Sequence, residues 1–122
     1  MKDFHNLKVW KRAHGFTLEL YKETKGFPKD ELYGLTSQIR RASSSIPTNI
    51  AEGCGRDSQA EMIHFFQIAM GSSSELEYLI ILAHDLKYLE DGAYDEFSSE
   101  LAEIRRMLNA YIQKLKSTLP KR

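Results

Sequence analysis

Residues 94–115 read YDEFSSELAEIRRMLNAYIQKL, and this stretch decides the fold. Its large apolar residues Tyr94, Phe97, Leu101, Ile104, Leu108, Tyr111 and Leu115 are separated by alternating steps of three and four. A helix turns once in about 3.6 residues, so these steps put every one of them on a single stripe. A half-buried strand needs apolar and polar residues to alternate, and no stretch of the chain does so. The helical step recurs upstream. Val9, Ala13, Phe16 and Leu20 follow it near the start, and Leu32, Leu35, Ile39, Ala42, Ile46 and Ile50 follow it next. Between 58 and 89, Met62, Ala69, Leu76 and Ala83 repeat every seven residues, accompanied by Phe65, Ser72, Leu79 and Leu86.

Turn signals separate these runs. Gly26-Phe27-Pro28 divides the first from the second, and Glu90-Asp91-Gly92 precedes the last. Gly53-Cys54-Gly55 ends the second, with Gly53 suited to a left-handed cap. Asp57 or Ser58 caps the third, and Glu61, three residues after Ser58, completes a capping box. The expectation is four helices over about 6–25, 29–52, 58–89 and 92–118. Short connections make neighbours antiparallel, so residues 1–122 form one all-α domain, an up-down-up-down four-helix bundle. Two places oppose local propensity. Pro47 lies inside the second helix and should kink it. Gly71-Ser72-Ser73-Ser74 lowers the helicity of the third, and Ser43-Ser44-Ser45 is equally small. Folding about the 53–57 turn sets residue 43 near 67 and 38 near 72, so the small patches meet or nearly meet as a tightly packed seam.

The chain has 122 residues, 42% apolar and 28% charged, which suits a soluble globular domain. The run Leu79-Ile80-Ile81-Leu82-Ala83 is far short of the roughly 18 residues of a membrane span. Met1-Lys2-Asp3-Phe4-His5 lacks a signal core, and Cys54 is the one cysteine, so a reducing cytoplasm is the expected compartment. Catalytic chemistry is not legible. Glu61 and His64 have the Glu-x-x-His spacing of a di-iron bundle, but the second such pair is missing. His5, His14 and His84 have no ligand-spaced partner. Cys54 stands beside Arg56, which would lower its pKa, yet no base or oxyanion site accompanies it. Gly53-Cys54-Gly55-Arg56 is too short for a phosphate-binding loop. No enzyme activity, metal, cofactor or small-molecule substrate is expected.

Charge is balanced at 17 basic and 17 acidic residues, but unevenly spread. Residues 1–41 carry +4, residues 42–104 carry −10 and residues 105–122 carry +6. In an up-down-up-down bundle one end gathers Lys2, Lys8, Lys11, Arg12, Arg56, Lys114, Lys116, Lys121 and Arg122, for a net +5. The opposite end holds −5. Cations near the end of the last helix suit its dipole, whereas Lys8, Lys11 and Arg12 near the start of the first do not, and they point weakly to an anionic partner. Arg40 and Arg41 are adjacent, about 100° apart around the helix, so at most one turns fully inward, with Glu75 as a candidate acid.

Several blocks carry a resemblance. The chain opens with Phe4-x-x-Leu7-x-Val9-Trp10-Lys11-x-Ala13, and Phe27-Pro28-x-x-Glu31-x-Tyr33-Gly34-Leu35 begins the second helix. Then come Gln38-Ile39-Arg40-Arg41-Ala42-x-x-Ser45-Ile46-x-x-Asn49-Ile50-Ala51-Glu52-Gly53 and Ala69-x-Gly71-Ser72-x-x-Glu75-Leu76-Glu77. Over essentially its whole length the chain resembles the four-helix bundle proteins encoded within intervening sequences of bacterial 23S ribosomal RNA genes. It is also similar to the accessory variability determinant of diversity-generating retroelements, a pentameric barrel that binds nucleic acid and a reverse transcriptase. The resemblance implies a homopentamer, and implies RNA or a nucleic-acid-processing protein as partner less firmly. It makes Gln38, Arg40, Arg41, Ser45, Asn49, Glu52, Gly53, Gly71, Ser72 and Glu75 motif residues of structural role. Pro47 departs from the pattern without breaking it.

Two functions fit. One is a structural or assembly module that recognises protein, itself included, with no membrane partner. Helix 3 is apolar on more than one face at Met62, Ile63, Phe65, Phe66, Ile68, Ala69 and Met70, and Trp10, Phe16 and Tyr21 do not all fit one inward stripe. The alternative is RNA or other nucleic-acid binding through the basic end of a pentamer, by Lys8, Lys11, Arg12, Arg56, Lys114 and Lys116. The zero net charge weakens it.

Overall fold

The computed structural model describes residues 2–120. Four helices, α1 (Lys8–Thr24), α2 (Leu35–Cys54), α3 (Gln59–Asp85) and α4 (Asp91–Ser117), run up-down-up-down, with 3-10 turns at Phe4–Asn6 and Lys29–Glu31. The described residues contain no strand. Each helix packs on its two neighbours. The backbones of the diagonal pairs α1–α3 and α2–α4 stay more than 8 Å apart between Cα atoms, and Lys121 and Arg122, counted above at the basic end, lie outside the described residues. No helix is long and apolar enough to cross a membrane.

The stripes supply one continuous core. Val9, Ala13, Phe16 and Leu20 meet Ile39, Ala42, Ile46 and Ile50, and these meet Phe66, Ala69, Leu76 and Ile80. From α4, Leu101, Ile104, Leu108 and Leu115 are buried, and Ile112 sinks deeper than the expected Tyr111, whose ring instead lies 5.5 Å from Phe66. The outer members of two stripes do not reach the core: Leu32 and Leu86 are about half exposed, at 50% and 45%.

Both misplaced residues follow from helix ends. α2 begins at Leu35 rather than at residue 29, because the chain first makes the 3-10 turn at Lys29–Glu31. The Glu31 carboxylate then caps the helix: Leu35 N–H donates to Oε1 at 3.1 Å, and the Tyr88 hydroxyl donates to Oε2 at 2.9 Å. A Cβ on Gly34 would stand 2.7 Å from that carboxylate, so any larger residue there would displace the cap. α3 stops at Asp85 rather than 89. Lys87 takes φ 65°, its N–H reaches His84 O and the Tyr88 N–H reaches Ala83 O, both at 2.9 Å. This is a Schellman turn with lysine in the position glycine usually holds.

Ser58 caps α3, with Glu61 N–H donating to its Oγ at 3.1 Å, but the Glu61 carboxylate accepts from the Ser58 hydroxyl at 3.2 Å instead of its N–H, so the expected capping box is only half made. Gly53 is not a left-handed cap. The helix passes through it to Cys54, and no described glycine has positive φ. Its role is close approach: a Cβ there would lie 3.0 Å from the Phe66 ring and 3.1 Å from Met62 O. Pro47 does not interrupt α2 either. Lacking an N–H, it leaves Ser43 O without its helical donor. Thr17 on α1 supplies a replacement, its hydroxyl donating to Ser43 O at 3.0 Å while also reaching Ala13 O at 2.9 Å.

Candidate functional site

The motif residues divide between packing and surface. Ser45 and Ser72 join α2 to α3 through a 2.8 Å hydroxyl contact, and Asn49 Nδ2 donates to Ser45 O and Oγ at 2.8 and 3.0 Å. The small patches therefore meet, but Ser45 rather than residue 38 stands opposite Ser72. The reason is that α2 extends to Cys54 and makes its closest approach at Gly53 and Phe66. Gly71 takes no part, since a Cβ there would meet nothing within 4 Å. Outside this seam lies a groove of about 500 Å³, lined by Gln38, Arg41, Ser44, Ser45, Ser72 and Glu75 among others.

The two arginines part as expected, but neither makes an ion pair with Glu75. Arg40 shares a face with Ser43 and Pro47, which is the face on α1. Its Nε donates to Thr24 Oγ1 at 2.9 Å and its guanidinium lies 4.8 Å over the Tyr21 ring. Arg41 is exposed at the groove it shares with Glu75. Glu52 is exposed and pairs with Arg56 at 3.4 Å.

Of the six cations expected to bind nucleic acid, four are open. Lys8, Lys11, Lys114 and Lys116 are exposed, and among the described residues none has a carboxylate within ion-pair distance. Arg12 is engaged. Its Nε and Nη2 grip Glu100 on α4 at 2.9 and 2.5 Å, Glu103 lies 3.8 Å away, and hydrogen bonding to Glu100 raises its pKa further. Arg56 is half-buried, stacked 4.6 Å over Phe65.

Cys54 is buried, and desolvation raises its thiol pKa, opposite to the lowering expected from Arg56. His84 Nε2 lies 2.7 Å from Asp91 and its ring stacks 4.1 Å from Tyr94, tying the α3–α4 turn. Glu61 belongs to the cap, and His64 is exposed. Among the described residues, no group of three or more His, Cys, Asp or Glu is placed to hold a metal ion.

Sequence reasoning missed the surface beside α1. An apolar groove of about 510 Å³ separates α1 from α2, lined by Phe4, Trp10, Leu18, Tyr21, Pro47 and Ala51 among others. Of Trp10, Phe16 and Tyr21, expected not all to fit one inward stripe, Phe16 is buried, Trp10 half-buried and Tyr21 exposed; Leu18, 54% exposed, carries no such expectation. The signal was present: Trp10, His14, Leu18 and Tyr21 step by four, four and three along a second stripe. On the other side of α1, Glu19, Glu23, Glu96 and Glu100 line a groove against α4.

These features define a small antiparallel bundle with surface grooves and no assembled reactive centre among the described residues. Residues 5–110 match the family model of the 23S rRNA-intervening sequence protein, and the chain belongs to that family. Among solved structures, it is similar to a protein of unknown function from the S23 ribosomal protein family of Bacteroides thetaiotaomicron VPI-5482. The TM-score is 0.80 at 24% identity, covering 86% of this chain and 95% of that one. No curated protein is similar to it.

Proposed function

We propose that this protein is a non-catalytic cytoplasmic module that works by assembling with copies of itself. The observation that carries this is apolar surface left open on separate faces. Leu18 and Tyr21 are exposed beside the α1/α2 groove, and Ile68, Tyr78 and Ile81 are exposed on α3. Monomers seldom leave such side chains uncovered in patches. The family resemblance supplies the count of five. Light scattering coupled to size exclusion at micromolar concentration tests it. A pentamer gives about 70 kDa from protomers of 14.1 kDa, and a single species at the protomer mass refutes self-assembly.

The open lysines favour a second reading, that the assembled basic ends hold RNA by its phosphates without reading sequence. Reversal of Lys8, Lys114 and Lys116 to glutamate tests it, with Arg12 left intact because its change would break the Glu100 pair. Retention of structured RNA at low salt should fall, with a shallower salt dependence, while the oligomer persists. Unchanged retention refutes the basic end as the site.

A further inference from the structure

Two uncovered apolar faces of the bundle carry opposite charge. The first is the α1/α2 groove, whose exposed apolar residues are Leu18 and Tyr21. Lys11 precedes His14 and Leu18 by three and seven residues, and Lys25 follows Leu18 and Tyr21 by seven and four. Helical spacing therefore stands an amine at each end of this apolar pair. No carboxylate lines the groove, because Glu19 and Glu23 of the same helix open on the α4 side. The second face is α3, which has no Lys or Arg in its 27 residues. Glu75, Tyr78, Ile81 and Asp85 follow one another by three, three and four, so its exposed apolar pair is bracketed by carboxylates. Neither Glu75 nor Asp85 has an ion-pair partner among the described residues.

The two patterns are complementary. From Lys11 to Lys25 the helix rises ~21 Å and from Glu75 to Asp85 ~15 Å, a difference that flexible lysine stems cover. We infer that the α1/α2 groove of one copy receives the α3 face of the next, Tyr78 and Ile81 lying against Leu18 and Tyr21. Glu75 and Asp85 then meet Lys11 and Lys25. This rests on the self-assembly reading above and names the surfaces that carry it. The mating faces differ, so the contact is heterologous: it excludes a two-fold dimer and builds a ring where the rotation closes, with the count of five taken from the family resemblance. Apolar burial supplies the affinity and the bracketing charges set orientation. A chain holding both halves of such a contact has little net charge, as this one does.

The test uses two single variants of the full chain, Leu18→Cys and Tyr78→Cys, oxidised separately and mixed. Native Cys54 is buried and stays silent. Because no Cα of α1 lies within 8 Å of one of α3 in a protomer, too far for a disulfide, a bond between positions 18 and 78 joins two copies. The expected result is a disulfide-linked dimer in the mixture and none in either variant alone. Self-linking by one variant, or no linking in the mixture while the wild type scatters as an oligomer, overturns the proposed faces. A monomeric wild type overturns the self-assembly reading itself. Charge provides a second arm. Lys11→Glu with Lys25→Glu should weaken association by about tenfold, as two rim pairs would, and Glu75→Lys with Asp85→Lys should restore it. Failure of that restoration, or quenching of Trp10 by oligouridylate with no copy-to-copy link, also overturns the assignment.

Discussion

Pro47 sits buried within α2 without an N–H to offer, and Thr17 on the facing helix answers for it. That arrangement predicts an energetic coupling between the two residues. Thr17 is 7% exposed and Ser43 is fully buried, so solvent cannot readily replace the hydroxyl. Thr17→Val conserves shape and leaves Ser43 O without its hydroxyl donor. Stranding a buried carbonyl costs about 1–3 kcal/mol. In a Pro47→Ala background the residue at 47 donates its own N–H to Ser43 O. Thr17→Val then removes only the redundant bond to Ala13 O and should cost about 0.5 kcal/mol. The coupling energy of the cycle is therefore about 0.5–2.5 kcal/mol. Urea unfolding of the four proteins, followed by circular dichroism at 222 nm with shared m-values, measures it. An equal cost of Thr17→Val in both backgrounds would refute the claim that the hydroxyl substitutes for the missing backbone donor.

Other consequences follow from single contacts. Leu108→Ala empties a fully buried site on the α4 stripe and should cost about 2–5 kcal/mol in the same assay; a loss under half a kcal/mol would remove that stripe from the core. Gly53→Ala forces a methyl against the Phe66 ring and Met62 O, and should destabilise by about 1–3 kcal/mol although alanine is the better helix former. A stabilised variant would mean that α2 and α3 do not approach closely there. The Cys54 thiol, buried and with its pKa raised by desolvation, should react with a disulfide reagent at pH 8 far more slowly in the folded protein than in urea; equal rates would place it at the surface.

The sequence was most informative where one residue's neighbours along the helix settle its environment. The three-and-four steps identified the inward stripes, and Asp57 or Ser58 as cap placed the start of α3 within a residue of Gln59. It was least informative at ends and partners. Gly53 looked like a stop because glycine often is one, and nothing local distinguishes a cap from a site of close approach. Arg12 looked like an open cation because its partner, Glu100, is 88 residues away. Arg40 and Arg41 were correctly separated by helix geometry, yet Glu75 was the wrong acid to choose, because only the packing of α1 on α2 brings Tyr21 and Thr24 within reach of Arg40.

Periodicity, turn residues and short connections thus determined by themselves that the chain is an antiparallel bundle of four helices, since each is a property of residues close in sequence. The motif blocks likewise established the family without coordinates. The depth and register of the helix pairs, and the donor that replaces the missing amide of Pro47, came from tertiary structure alone. So did the division of cations into paired Arg12 and open Lys8, Lys11, Lys114 and Lys116. The physical reason is range. Helix formation is settled within a few residues, whereas a hydrogen bond or an ion pair between helices depends on how far each cylinder slides and rotates against its neighbour. That is decided by the summed packing of the whole core.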